Sequence, residues 1–132
     1  MQNERAPERR HRIVVVGGGT AGITVAARLA RAGLARDVAV VEPEGRHYYQ
    51  PLWTLVGAGI VPLADTVRDE GRLIPRGVAW VRDRVAAFDP ENHRLTLVGG
   101  ERVSYDWLVV APGIQIDWHK VEGLPEAVGK DG

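Results

Sequence analysis

The stretch VGGGTAG, residues 16–22, constrains the fold of this chain more than any other feature of its sequence. Three of its glycines, Gly17, Gly19 and Gly22, have the spacing GxGxxG. An apolar run, IVVVG, leads into them, and a segment of small residues at helical spacing, TAGITVAARLARAG, follows. This order predicts a buried strand, a tight glycine turn and a helix that lies close to the strand.

Each of the three glycines has its own role in such a turn. Gly17 permits the sharp bend, Gly19 leaves room for a pyrophosphate group beside the backbone, and Gly22 allows close packing of helix and strand. The first helical turn, with Thr20 and Ala21, offers unpaired N–H groups and the positive end of the helix dipole to the phosphates. The motif therefore predicts a nucleotide-binding loop.

An acidic residue at the end of the next predicted strand supports this prediction. Glu42 ends the segment DVAVVE, twenty residues after Gly22. A carboxylate at this place accepts hydrogen bonds from the ribose hydroxyls of an adenosine and would repel a 2′-phosphate. The β-α-β unit thus predicts dinucleotide binding and disfavours NADP, and a glycine-rich turn without a ligand is the alternative.

The second half of the chain has a different pattern. Short extended segments, VAWVRDRVAAF, HRLTLV and ERVSY, are separated by DPEN and by Gly99-Gly100, which suits a tight hairpin turn with positive φ angles. A last apolar run, WLVVAPG, predicts a fully buried strand. A meander in place of a helical crossover resembles the FAD-binding domain of the glutathione-reductase-like flavoproteins. The predicted class is α/β: an incomplete Rossmann-like FAD-binding domain with a parallel sheet, a β-α-β unit and a three-stranded meander.

The position of the glycine loop and the last strand both favour FAD over NAD. The loop lies near the first residue of the chain, and the meander follows it. The segment YDWLVVAPG resembles the second FAD signature of these flavoproteins, a strand ending in Ala-Thr-Gly that brings backbone near the cofactor. Pro112 replaces the threonine and removes one N–H donor, whereas Gly113 still permits close approach.

Composition argues against several classes of protein and site. The chain has 17 basic and 17 acidic residues, so its zero net charge gives no electrostatic basis for binding nucleic acid. No apolar run approaches the roughly 20 residues that span a bilayer, and the first residues lack the apolar core of a signal peptide. The chain has no cysteine, so thiolate ligands, disulfides and thiol nucleophiles are excluded within it. We expect no metal site and no catalytic residue in this chain.

From about residue 12 to residue 126 the chain resembles the sulfide:quinone oxidoreductases, particularly the branch that includes the mitochondrial enzymes. The stretches that carry the resemblance are VVGGGTAGITVAARL, VVEPEGRHYYQPLWTLVGAG, GVAWVRDRVAAFDPE and YDWLVVAPGIQIDWHKVEGLPE. Many flavoproteins share the glycine motif and the final strand. The stretch HYYQPLWTLVGAG, in contrast, is specific to this family.

The resemblance implies a set of FAD contacts: Thr20, Ala21, Glu42, Gln50 and Val85. Val85 is expected to act through its backbone, beside the edge of the adenine. The Gln50 carboxamide can donate and accept hydrogen bonds at once, which suits a place beside the flavin or its ribityl chain. Capping of the helix that begins at Pro51 is the alternative role for Gln50.

The residues around Gln50 are interpreted as structural. Tyr48, Tyr49 and Trp53 are assigned to packing or to the wall of a pocket, as is usual for aromatic residues beside a short helix. His47 is interpreted as a structural hydrogen-bonding residue rather than a catalytic one.

For the parent protein, the resemblance implies a cytoplasmic flavoprotein that is peripheral on the inner membrane. Sulfide would attack a cysteine disulfide, a persulfide would form, and the released thiolate would pass two electrons to FAD, which then reduces a quinone. Sulfide and quinone are thus the implied substrates. Because thiol–disulfide exchange requires thiolates and the chain has no cysteine, we expect this chain alone to be inactive.

The expected organisation has three parts: a flexible leader at 1–11, the first segment of the FAD-binding domain at 12–113, and at 114–132 the start of a connection to a missing second domain. Peripheral membrane contact is expected only through a missing C-terminal region. The isolated chain is expected to be poorly soluble or to form a homo-oligomer. Two alternatives stay open: another FAD-dependent oxidoreductase of the superfamily, such as a type II NADH:quinone oxidoreductase, and a non-catalytic FAD-binding fragment.

Overall fold

A computed structural model describes residues 8–130 of the chain. The strands are β1 (Glu8–Arg10), β2 (Ile13–Val16), β3 (Val38–Val41), β4 (Arg46–Tyr48), β5 (Val67–Asp69), β6 (Ala79–Val81), β7 (Val85–Asp89), β8 (Arg94–Leu97), β9 (Arg102–Ser104) and β10 (Trp107–Val110). The α-helices are α1 (Thr20–Leu29), α2 (Trp53–Gly57), α3 (Glu70–Leu73) and α4 (Leu124–Ala127). Turns of 3₁₀ helix lie at Ala35–Asp37, Gln50–Leu52, Leu63–Thr66, Pro90–Asn92 and Trp118–Lys120.

A parallel sheet with the order β10-β2-β3-β6 forms the centre of the fold. Every residue of its two inner strands is buried, as the apolar runs predict. Alternate side chains of β2 point to opposite faces: Val15 packs with Ala26 of α1, whereas Val14 packs with Leu95 of β8. The sheet is therefore covered on one face by α1 and on the other by the second sheet, which confirms the predicted α/β class and its β-α-β unit.

The second sheet contains the predicted meander. Strands β7, β8 and β9 are antiparallel neighbours, and along β8 the buried Leu95 and Leu97 alternate with half-buried residues. The hairpin between β8 and β9 turns at Gly100, whose φ is 85°; Gly99 does not share the positive φ that was expected for both glycines. The segment VAWVRDRVAAF is divided, because β6 joins the parallel sheet and β7 begins the meander.

The chain begins its regular structure earlier than the sequence predicts. Residues of β1 pair in parallel with β9 at the edge of the meander sheet, and Arg9 forms an ion pair with Glu101. Residues 8–10, which the sequence places in the predicted leader, thus form a strand, because the free edge of β9 supplies backbone partners that local sequence does not reveal. Residues 1–7 of the predicted leader lie outside the described residues.

The prediction that WLVVAPG is a fully buried strand is also wrong. Strand β10 lies at the edge of the parallel sheet, with β2 as its one strand neighbour in that sheet. Trp107 is 68% exposed and Val110 is 54% exposed. An apolar run predicts a strand correctly here, but it carries no information on which neighbours cover the strand.

Two helical predictions differ from the structure in detail. After α1 the chain continues for one further turn, at Ala30–Leu34, where Gly33 takes a φ of 85° and ends the helical path. The segment LADTVRDE, residues 63–70, has a sequence compatible with a short helix, but it contains a 3₁₀ turn, strand β5 and the first residue of α3. Strand β5 pairs with β4, so the long excursion after β3 folds back on itself as a separate two-stranded sheet. Within residues 8–130 no helix has both the length and the apolar character needed to cross a membrane.

Candidate functional site

A cavity of about 950 Å³ lies at the carboxyl ends of the parallel strands β2, β3 and β10. This is the edge at which open parallel sheets bind their ligands. Residues predicted as cofactor contacts line this cavity: Gly17, Gly19, Thr20, Ala21, Glu42, Gln50, Val85 and Gly113. The remaining predicted residue, Gly22, lies behind the loop and supports it.

The glycine loop has the geometry that its spacing predicts. Gly17 has a φ of 102°, and a Cβ on it would overlap the carbonyl oxygen of Ala111 at the end of β10. A Cβ on Gly22 would overlap the carbonyl oxygen of Gly17, so this glycine permits the close approach of α1 to the loop. A Cβ on Gly19, in contrast, would meet no protein atom within 4 Å. The loop is tightly packed on the protein side and open on the cavity side.

The first turn of α1 faces the cavity with unpaired backbone donors. Gly19 is the N-cap, no side chain among residues 8–130 caps the helix, and its first turn contains no acidic residue. Thr20 and Ala21 are exposed at the cavity wall. The N–H groups and the helix dipole therefore favour an anionic group at this position.

Glu42 is fixed by hydrogen bonds on both carboxylate oxygens. Its Oε2 accepts a hydrogen bond from the Gly18 N–H at 2.7 Å, and its Oε1 accepts one from the Glu44 N–H at 2.8 Å. The indole N–H of Trp80 donates to the Glu42 carbonyl at 2.9 Å. Because a carboxylate has about four acceptor sites, Glu42 retains capacity for ligand hydroxyl groups.

A buried pair, His47 and Glu70, lies directly behind Glu42 and the loop. Glu70 is 1% exposed, and its Oε2 lies 3.3 Å from Nδ1 of His47, which is also 3.2 Å from the Gly18 carbonyl oxygen. Burial raises the pKa of Glu70, His47 opposes this effect, and the negative charges of Glu42 and Asp69 add to it. Sequence reasoning missed Glu70, because no spacing motif connects the first turn of α3 to the glycine loop.

The other predicted contacts occupy three separate loops around the cavity. Gln50 is exposed in its 3₁₀ turn; Tyr49 is the N-cap of that turn and no side chain caps it, so the alternative capping role is not observed. Val85 is the first residue of β7, next to a shift in its register with β8. Gly113 has a φ of 74°, and the position of its absent Cβ is open. These places are compatible with ligand contacts, which themselves stay predictions.

Two aromatic side chains form part of the cavity wall. Tyr48 and Trp53 meet edge to face, with ring centroids 6.1 Å apart and an angle of 68° between the planes. They are 38% and 40% exposed, so they belong to the wall of the cavity and not to the hydrophobic core.

Residues 11–131 match the model of the family described as pyridine nucleotide-disulphide oxidoreductase. The chain belongs to this family. The match covers the glycine loop, the parallel strands and the meander described above.

Two relatives within the family are mitochondrial sulfide:quinone oxidoreductases. The chain is 47% identical over 116 residues to the one from Mus musculus, with 88% of this chain and 26% of the relative covered. It is 45% identical over 122 residues to the one from Dictyostelium discoideum, with 92% and 27% covered. The chain thus spans about a quarter of the length of these relatives.

A solved structure shares the fold. The sulfide:quinone oxidoreductase from Aquifex aeolicus superposes with a TM-score of 0.72 at 21% identity, over 88% of this chain and 27% of that chain. At this identity the likeness shows the fold alone.

The residues of the cavity fit the flavin dinucleotide that the family implies. The open space beside Gly19 and the uncapped N-terminus of α1 suit a pyrophosphate. The remaining acceptor sites of Glu42 suit the paired hydroxyl groups of a ribose. The charge and the hydrogen-bonding groups along this part of the cavity therefore complement a pyrophosphate and a ribose.

Proposed function

We propose that this chain supplies the first part of the FAD site of a flavoprotein that oxidises sulfide and reduces quinone. One observation carries the proposal: the glycine loop, Glu42, Gln50, Val85 and Gly113, distant in sequence, line a single cavity at the carboxyl ends of the parallel strands. The identity of 47% to a sulfide:quinone oxidoreductase supports the choice of substrates.

In this proposal each part of the cavity binds one part of FAD. The pyrophosphate lies at the N-terminus of α1, against the backbone from Gly19 to Ala21. Glu42 accepts hydrogen bonds from the ribose of the adenosine. Backbone at Val85 borders the adenine, while Gln50 and Gly113 lie toward the flavin. When bound, FAD supplies the two-electron transfer between sulfide and quinone.

The remaining chemistry belongs to residues outside this chain. Thiol–disulfide exchange needs cysteines, of which the chain has none. We assign residues 12–113 to the first segment of the FAD-binding domain and the residues from 114 onwards to a connection with a further domain. A membrane-binding region of the whole protein would give it peripheral contact with the inner membrane and access to the quinone.

The experiment uses the purified full-length protein. We expect a flavin absorption spectrum, and we expect the flavin released by denaturation to be identified as FAD by chromatography. Sulfide added without oxygen should bleach the flavin band, and a short-chain ubiquinone analogue should restore it. NADH at the same concentration serves as the control reductant.

Two outcomes would contradict the proposal. If the purified protein contained no flavin, the assignment of the cavity to FAD would be wrong. If NADH bleached the flavin band and sulfide did not, FAD binding would stand. The reaction would then be that of a type II NADH:quinone oxidoreductase.

A further inference from the structure

The predicted cofactor contacts leave the His47–Glu70 pair unexplained. Glu70 opens α3, and its backbone N–H donates to the Gly45 carbonyl at 3.0 Å, which fixes the start of this short helix. Its side chain is directed back toward the glycine loop and lines the cavity. Its Oε1 atom is buried and has no hydrogen-bond partner among the described residues. A buried acceptor without a partner is costly, so this arrangement requires an explanation.

Three side chains from three different segments surround Gly18. Glu42 accepts a hydrogen bond from its N–H, and Nδ1 of His47 lies 3.2 Å from its carbonyl oxygen. On its third side, a Cβ would overlap Oε1 of Glu70 and would lie 2.6 Å from Cγ of Glu42. The Glu70 oxygen without a partner therefore lies beside the Glu42 side chain, across the space that only a glycine leaves free.

The charge on Glu70 affects the electrostatic potential on the cavity side of the glycine loop. The titratable groups that act on it are His47 from β4, Glu42 at the end of β3 and Asp69 next to it in the chain. A proton held by the His47–Glu70 pair keeps the pair neutral, on whichever of the two residues it resides. Loss of that proton leaves a second negative charge beside Glu42, on a carboxyl group that is itself 1% exposed.

We propose that Glu70, paired with His47, is a positioning residue of the FAD site, which holds Gly18 and Glu42 in place and keeps a second negative charge away from the cofactor phosphates. This inference rests on the proposed binding of FAD. In this role Glu70 does not contact FAD; it acts through the glycine loop. Bound FAD is itself anionic, so it favours the protonated pair, and FAD and the proton bind cooperatively.

The test is the pH dependence of FAD affinity in the full-length protein. FAD is removed, and its dissociation constant is measured by flavin fluorescence between about pH 5.5 and pH 8.5. With Glu70 unaltered, we expect affinity to fall by roughly tenfold as the pH rises through the titration of the pair. Glu70→Gln keeps the size of the side chain and cannot ionise, so we expect its pH profile to lose the part of the fall that depends on the charge of Glu70. Glu91→Gln, an exposed carboxyl in the meander, is the matched control and should follow the unaltered protein.

A second variant tests the pair without changing Glu70. With two sites for one proton, the pair loses its last proton at a pH no lower than Glu70 alone would beside a neutral residue. His47→Gln leaves Glu70 as the one site of the pair for that proton, so the fall in affinity should move to lower pH. A profile that is the same in Glu70→Gln and in the unaltered protein would overturn the inference while leaving FAD binding intact. So would a fall that stays at the same pH in His47→Gln. Absence of FAD binding at every pH in the unaltered protein would overturn the proposed function and this inference together.

Discussion

The backbone N–H of Gly18 donates a hydrogen bond to Oε2 of Glu42 over 2.7 Å. This bond connects the loop after β2 to the residue after β3, so the expected phosphate-binding backbone and the expected ribose-binding acid are held in one arrangement. A preorganised arrangement reduces the entropy that ligand binding must overcome. Glu42 therefore has two functions in the site, one toward the loop and one toward the ligand.

These two functions of Glu42 lead to a first prediction. In the full-length protein, Glu42→Ala should weaken FAD binding by roughly 1.5–3 kcal/mol, because a charge-assisted acceptor is lost. Glu42→Gln retains one acceptor oxygen and should have an intermediate effect. Isothermal titration with FAD measures both, with Glu91→Ala as the control. Equal FAD affinity in Glu42→Ala and in the control would contradict the ribose assignment.

The glycine loop gives a second prediction, from two alanine variants: one is expected to lower stability and the other to lower FAD affinity. In Gly22→Ala the new methyl group overlaps the Gly17 carbonyl oxygen, so we expect loss of roughly 2 kcal/mol or more in the free energy of unfolding. In Gly19→Ala the methyl group meets no protein atom, so stability should change by less than about 1 kcal/mol. That methyl group would nevertheless occupy the space assigned to the pyrophosphate, and FAD affinity should fall. Urea denaturation and FAD titration separate the two effects; unchanged FAD affinity in Gly19→Ala would contradict the placement of the phosphates.

The features that the sequence predicts correctly are those determined by residues close together in the chain. The β-α-β unit and the roles of Gly17 and Gly22 were predictable, because a contiguous motif specifies the backbone path. The pairing of β1 with β9 was not, because it joins residues nearly a hundred positions apart through backbone groups. Glu70 was missed for a similar reason: its proximity to Gly18 follows from how the β4–β5 excursion folds back, which no spacing in the sequence encodes.

The exposed apolar edge leads to a third prediction, about the chain on its own. Trp107, Ile114 and Ile116 are 68%, 92% and 56% exposed along and after β10, at an unpaired edge of the parallel sheet. Such an edge promotes association. We expect the 132-residue chain, expressed alone, to be poorly soluble or oligomeric by size-exclusion chromatography with light scattering. Ile114→Lys together with Trp107→Lys should increase its solubility; a monomeric chain with a sharp thermal transition would contradict this prediction.

The buried carboxyl group of Glu70 gives the last prediction, on stability rather than on ligand affinity. Burial raises the pKa of Glu70 in the folded state above the ordinary value of 4.5, so the folded protein binds this proton more tightly than the unfolded chain does. The stabilising contribution is therefore complete below pH 4.5 and is lost as the pH rises through the folded-state pKa.

Urea denaturation of the full-length protein without FAD, at several values between about pH 5 and pH 8, measures this loss as a decrease in the free energy of unfolding. Glu70→Gln removes the titrating group, so its stability should decrease less over this interval than that of the Glu91→Gln control. If instead the two variants lose stability in parallel as the pH rises, then Glu70 is ionised in the folded protein throughout.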